Sequence, residues 1–308
     1  MRAVAGFESL GYTPAQFSRG LRGAASWRHL AKQRLCGSMP ELPEVEAVAR
    51  ALRPLVQCRV IHAIAVRPSS GRGAKQAVSA MQRRVRQQKI RAVERRGKYL
   101  ILQLERGVLV MHFRLDGQLV WFDSRETSGH IDVALEMNGG TLGFVDRRHF
   151  GRVQWTASLG EIPAIQHLGV DPLTPEFTVA RFTQMLKASR WPLKLFLLDQ
   201  NRIAGIGNIY SSEALWRARL DPRRRAHHLS TGEARRLHKG IVDVLRRALE
   251  CCSNPAPNFR DSQWWFQGLE SILRVYGREG KNCRACRQVV RRIEQGGRST
   301  FFCARCQR

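Results

Sequence analysis

Acidic side chains are in short supply: the 308 residues set 25 Asp and Glu against 52 Lys and Arg, a formal charge of +27 with a pI of about 11.3. So large a deficit of acids is seldom carried without a polyanionic partner, which puts nucleic acid first and an acidic membrane surface second. Long apolar runs are missing too. No stretch reaches the roughly 18 apolar residues that a spanning helix needs, so a soluble protein with no membrane partner is expected. There is no internal repeat. With 43% hydrophobic residues the chain can bury ordinary cores, which excludes disorder, collagen and a disulfide mini-scaffold. Its length allows about two domains.

Cysteine is unevenly placed. Cys36, Cys58 and the adjacent Cys251 and Cys252 are scattered, while Cys283, Cys286, Cys303 and Cys306 form two close Cys-x2-Cys pairs. That spacing matches a four-cysteine zinc ribbon, each pair giving two ligands of a tetrahedron, so one structural zinc is expected. Thiolate ligands persist where thiols stay reduced, which places the protein inside a cell. Between the pairs, Val289 to Ile293 and Ser299 to Phe302 flank Gln295-Gly296-Gly297 and read as a β-hairpin with Arg298 near its tip. A purely structural staple is one reading. The other is a phosphate-contacting finger, given Arg291, Arg292, Arg298 and Arg305.

Residues 1–38 carry six Lys or Arg and only Glu8 as an acid, with no apolar stretch long enough for a secretory core. They resemble an organelle transit peptide or translated upstream sequence, an extension outside the mature protein. From Met39 the character changes. Val45, Val48, Ala49 and Leu52 make one amphipathic stripe, with Pro43 in the first turn, Glu44 and Glu46 complementing the dipole, and Pro54 as the stop. From Arg59 to about Trp155 the pattern has period two, with Asn138-Gly139-Gly140 as a turn, and predicts an antiparallel β-sandwich over 39–160. Residues 161–175 hold Gly160's neighbours Pro163, Gly169, Pro172 and Pro175 and read as a linker. Helices follow over 177–188, 193–199, 208–217 and 230–249, the last opened by a Ser230/Glu233 capping box, within a domain of 176–278 that precedes the ribbon at 279–308. The fold class is therefore α+β and multidomain.

A further signal is Gly205-Ile206-Gly207-Asn208-Ile209-Tyr210, between two helical stretches. Asn208 suits an N-cap, and the amides freed at the start of the next helix can bind a phosphate. A plain corner between helices explains the glycines as well.

Met39-Pro40-Glu41-Leu42-Pro43-Glu44-Val45-Glu46, Arg96-Gly97-Lys98-Tyr99-Leu100, Asp199-Gln200, the Gly205 to Tyr210 run and the terminal cysteines occur in one order. Together they resemble the bacterial formamidopyrimidine-DNA glycosylase family, whose sister group is endonuclease VIII. The resemblance spans Met39 to Arg308. It implies a β-sandwich and a helix-two-turns-helix domain with a zinc finger that clamp damaged double-stranded DNA and flip out an oxidised base. It also implies a monomer acting in base-excision repair as a bifunctional glycosylase and AP lyase of the bacterial cytoplasm or nucleoid, with organelle targeting by residues 1–38 left open. Leu42-Pro43 resembles the branch acting on oxidised purines such as 8-oxoguanine and formamidopyrimidines. An endonuclease VIII-like enzyme for oxidised pyrimidines and a non-catalytic DNA-binding homologue are the alternatives.

By the same resemblance, Pro40 is the nucleophile, Glu41 the acid and base, and Glu44 the supporting carboxylate. Lys98 and Arg298 assist β- and δ-elimination. Asn208 and His130 contact DNA, and Leu115, Arg148 and Phe150 fill the gap left by the flipped base, Leu115 standing where the family has Met and His149 where it has a second Arg. The chemistry requires a free Pro40 amine, because an acylated nitrogen has no nucleophilic lone pair. The chain as written should therefore bind DNA without cutting it.

Overall fold

The computed structural model describes residues 39–67, 74–123, 131–260 and 268–308. Helix α1 (Leu42–Val56) buries the predicted stripe of Val45, Val48, Ala49 and Leu52 and, at its two ends, Leu42 and Val56 as well. Pro54 does not stop it. The helix runs on to Val56, because a proline in the last turn deletes one hydrogen bond but leaves nothing beyond it to be broken.

Strands β1 (Val60–Val66), β2 (Gln88–Arg96), β3 (Tyr99–Leu104), β4 (Val108–His112), β5 (Gln118–Phe122), β6 (Ile131–Met137), β7 (Gly140–Val145) and β8 (Arg152–Thr156) follow, all pairings antiparallel. Their order is β5-β7-β6-β1-β2-β3-β4-β8. Only Val60↔Lys89 and Ile61↔Gln88 join β1 to β2, so two four-stranded halves fold over one core. Into it go Leu100, Leu102, Leu109 and Met111 from one half, Leu119, Val133, Leu135 and Phe144 from the other, and the α1 stripe. The expected period-two pattern is interrupted by α2 (Ala74–Val85), whose Val78, Met81 and Val85 are spaced for a helix. Tyr99 pairs with His112 and His112 with Arg152. The turns at 97–98, 113–117 and 146–151 therefore leave the sandwich at one end.

The second core is helical. It gathers α4 (Val179–Lys187), α5 (Leu193–Leu198), α6 (Asn208–Ala218) and α7 (Thr231–Ser253) around Phe182, Phe196, Ile203, Leu215 and Ile241, after the short α3 (Pro163–Gln166) and before the short α8 (Leu269–Ile272). The capping box of α7 is present: Ser230 N–H donates to Glu233 at 2.9 Å and Glu233 N–H to Ser230 Oγ at 3.2 Å. The helix extends past the expected end, and its length packs against α1 as well as α6. The ribbon hairpin is β9 (Arg291–Gln295) and β10 (Arg298–Phe302), with Gly296 at φ 57° and Gly297 at φ 70° making a turn that only glycine enters cheaply at both positions.

Candidate active site

The start of α1 meets the start of α6. The Glu41 carboxylate accepts from the backbone N–H of Gly207 at 2.6 Å, Ile209 at 2.8 Å and Tyr210 at 3.4 Å, while Leu42 N–H donates to Gly205 O at 3.1 Å. The sequence reading put Asn208 at the N-cap with open amides for a phosphate. Instead Gly207 is the N-cap, Asn208 is the first helical residue, and a carboxylate of the other core already fills the anion cradle. Gly207 has no alternative here: an added Cβ would lie 2.5 Å from both Glu41 Oε1 and Lys98 Nζ. Lys98 therefore reaches the same corner as Glu41.

These groups are dry. Glu41, Glu44 and Lys98 are 3%, 4% and 9% exposed. Glu44 accepts from Glu41 N–H at 2.9 Å and from the Tyr210 hydroxyl. Burial, and next the Glu41 charge, push its carboxyl up to about 7. Burial pulls the Lys98 ammonium below the usual lysine range; Glu41 and Glu44 oppose this and Arg298 adds to it. The basic run 95–98 is thus no solvated face. Arg95 pairs with Glu46 at 2.8 Å and Asp171 at 2.7 Å, and Arg96 donates to Leu168 O and Gly169 O.

Sequence reasoning missed Lys194. Its side chain is fully buried on α5 and donates to Asn208 O at 2.9 Å, Ser211 Oγ at 2.8 Å and Ser212 Oγ at 2.7 Å. Burial pulls it down to about 7, against the attraction of Glu41. A lone cation inside the apolar run Leu193 to Leu198 was the available signal. Also missed was Glu213, whose carboxylate accepts from Arg274, Val275 and Tyr276 N–H at 2.8 to 2.9 Å and so fixes the entry to the ribbon.

The turns at the Lys98 end carry the remaining candidates. Leu115 is half-buried, and Arg148, held to Asp116 at 3.4 Å, lies over the Phe150 ring at 4.9 Å. Phe150 is 50% exposed, an apolar side chain held out from the protein. His149 sits at φ 54° with Nδ1 2.9 Å from Asp132. His130 and the tryptophans Trp264 and Trp265 lie outside the described residues.

The ribbon brings Cys283, Cys286, Cys303 and Cys306 together, all sulfurs within 4.8 Å of one another. Cys283 to Cys306 is 3.9 Å and Cys286 to Cys303 is 3.4 Å. A tetrahedron with Zn–S of about 2.3 Å has edges of roughly 3.8 Å, so the donor set fits one zinc. Asn208 Nδ2 donates to Ser299 O at 3.0 Å, tying the hairpin to α6. Arg298 is exposed, and its charge is felt by both Lys98 and Lys194.

Comparison with known proteins covers the same ground. Family models described as formamidopyrimidine-DNA glycosylase N-terminal domain, formamidopyrimidine-DNA glycosylase H2TH domain, and zinc finger found in FPG and IleRS match residues 39–153, 168–255 and 280–308. The formamidopyrimidine-DNA glycosylase of Thermus thermophilus is 40% identical over 275 residues, 87% of this chain and 98% of the relative. That of Desulfitobacterium hafniense is 36% identical over 274 residues, covering 87% and 100%. Among solved structures, the MutM (Fpg) protein of Thermus thermophilus superposes with a TM-score of 0.73 at 39% identity, covering 87% and 98%. Lactococcus lactis Fpg in complex with abasic-site DNA gives 0.76 at 27% identity, covering 87% and 99%.

Proposed function

We propose, from the premise that this chain belongs to the formamidopyrimidine-DNA glycosylase family, that it excises oxidised purines from duplex DNA through the seam where α1 meets α6. The protein is a base-excision repair DNA glycosylase and AP lyase with one structural zinc. The observation that carries the finer reading is the Glu41 carboxylate fixed on three amides of α6 with Lys98 beside it, adjacent in sequence to Pro40.

In this reading, Pro40 as chain terminus supplies a secondary amine with a pKa near about 8, partly neutral at pH 7. Its nitrogen forms a bond to the sugar C1′ as the bond from C1′ to the base breaks; the departing base takes a proton from water, and the amine's proton passes to the Glu41 carboxylate. Glu41 protonates the ring oxygen as the C1′–O4′ bond opens, leaving a cationic iminium. The iminium acidifies the C2′ hydrogen. Its loss to a base expels the 3′ phosphate, and loss of the C4′ hydrogen then expels the 5′ phosphate. Glu44, pushed up to about 7 by burial and partly neutral at that pH, accepts from Glu41 N–H and the Tyr210 hydroxyl and so braces Glu41 without adding a second full negative charge. Lys98 and Arg298 hold the phosphates beside the lesion, and Arg298 assists the second elimination. Asn208 and His130 contact the backbone, and Leu115, Arg148 and Phe150 occupy the space vacated by the flipped base, Arg148 paired with the orphaned cytosine. Cys283, Cys286, Cys303 and Cys306 hold zinc, which when bound fixes the hairpin that presents Arg298. The protein acts as a monomer inside the cell.

The test is base release from matched duplexes containing 8-oxoguanine opposite cytosine or an oxidised pyrimidine. Faster release of the purine lesion supports the reading, and preference for the pyrimidine overturns the lesion class while leaving the family untouched.

A further inference from the structure

The end of the sandwich opposite Lys98 carries a second basic surface that the reaction does not use. Gln88 opens β2 and is 2% exposed, yet its amide is fully engaged: Nε2 donates to Arg84 O and to Arg106 O at 3.0 Å, and Oε1 accepts from Arg106 N–H at 2.6 Å. One buried side chain thus draws the end of α2 and the β3–β4 turn together. Trp155, near the end of β8, joins the cluster by donating from Nε1 to Arg106 O at 3.3 Å, and the Arg84 guanidinium lies over its ring at 4.5 Å from the centroid. Around this platform Arg83, Arg84, Arg86, Lys89, Arg91 and Arg106 are all exposed.

None of the six has an ion-pair partner among the described residues. Unpaired exposed arginines occur elsewhere too, Arg235, Arg236 and Arg246 among them, so what sets this surface apart is the buried Gln88 clamp and the Trp155 ring on which it is built. Nearby, Glu161 is already engaged by Thr156 Oγ1 and Ala157 N–H, which leaves Glu105 as the free acid beside the patch. Six like charges held together by a buried clamp cost self-repulsion, which a polyanion would relieve. The Arg84 guanidinium, held over the Trp155 ring, carries N–H donors of the kind that pair with phosphate oxygens.

We infer that this surface binds the phosphate backbone of a second duplex DNA segment while the seam and ribbon hold the first. Lys89 and Lys98 are at opposite ends of β2, which at about 3.3 Å per residue separates the two sites by roughly 20–30 Å. That exceeds the Debye length of about 8 Å at physiological salt, so the two sites act independently. It also leaves room for two duplexes on one chain, a geometry suited to moving between neighbouring DNA segments without release.

The experiment mixes the full-length, zinc-loaded chain with two sets of short undamaged duplexes, one carrying a donor fluorophore and the other an acceptor, with sedimentation reporting the stoichiometry. The wild-type chain is expected to bring donor and acceptor together as one chain on two duplexes. The Arg83→Glu, Arg86→Glu, Lys89→Glu variant should bind one duplex with wild-type affinity and lose bridging by about tenfold or more. The milder Arg83→Gln, Arg86→Gln, Lys89→Gln variant should lose part of it. One duplex per wild-type chain at every ratio, bridging only by a dimer of chains, undiminished bridging by the reversal variant, or capture of polyglutamate in place of a second duplex would each overturn the inference.

Discussion

The zinc ribbon and the seam between α1 and α6 both gather ligating or charged side chains, by opposite routes. The ribbon draws its four thiols from one short segment and leaves Arg291, Arg292, Arg298 and Arg305 exposed or partly exposed around them. The seam draws Glu41 and Glu44 from α1, Lys98 from the β2–β3 turn, Lys194 from α5 and the amides of 207–210, and buries all of them. Exposed cations lie where phosphate can reach them. Buried ones are held by one another, and burial brings Glu44 up and Lys194 down to about 7. On the proposed reading, gripping DNA falls to exposed local structure and cutting it to a dry contact between two cores.

The sharpest way to break that separation is Glu41→Gln. The amide keeps one of the two oxygens that accept from the α6 N-terminus, sets an NH2 against the other N–H, and cannot donate and regain a proton at the sugar oxygen, so base release should fall by about 10²–10⁴-fold while binding of the damaged duplex persists. Equal loss of both, measured by single-turnover release and by equilibrium binding, would show that Glu41 only braces the fold.

Glu44 sharpens the comparison through pH. Its folded value of about 7 lies above the usual 4.5, so the folded state holds the proton more tightly than the unfolded chain does. The stabilisation is complete below about 4.5 and is lost as pH rises towards 7, amounting to about 3 kcal/mol. Lys194, lowered to about 7, acts with the other sign and in the window above 7, so the two effects do not overlap. Glu44→Gln should therefore flatten the decline in unfolding free energy between pH 4.5 and 7, read from denaturant midpoints.

Cys283→Ser tests the gripping half. Zinc should be lost from its one site per chain and DNA binding should weaken by about tenfold, since the hairpin depends on metal. Metal analysis and binding on the same sample decide it, and retention of one zinc would contradict the four-thiolate site. Arg298→Ala is the smallest change. It should lower the slope of binding against salt by about one phosphate contact and leave stability nearly unchanged.

How much could be read from the residues follows the same division. The ribbon was legible because its ligands, turn glycines and strands are neighbours in sequence, and the hairpin forms where Gly296 and Gly297 permit it. The helices of the second core were legible from spacing and from the Ser230/Glu233 box. So are Val45 to Leu52, although a proline such as Pro54 ends a helix less firmly in its last turn than in its interior. Helix α2 was hidden because its short apolar spacing sits among strands. At the seam, residue types alone could not tell that Glu41 would cap a helix 166 positions away. The pairing depends on α1 packing against the helical core, and only resemblance to a known family brought those residues into one site beforehand. Lys194 escaped because a lysine among leucines is recognised as buried only once the serines that receive it are in view.

The central claim is that cutting passes through the nitrogen of Pro40, and borohydride trapping on an 8-oxoguanine duplex tests it most directly. Two samples are needed, the full-length chain and the form beginning at Pro40, each with its N-terminus verified by intact mass. A peptide-bonded nitrogen has no lone pair to give, so the Pro40-terminated form should be captured covalently, while the full-length chain should bind the duplex without being trapped. Equal capture of a verified full-length chain would contradict the claim and transfer the nucleophile to a lysine such as Lys98.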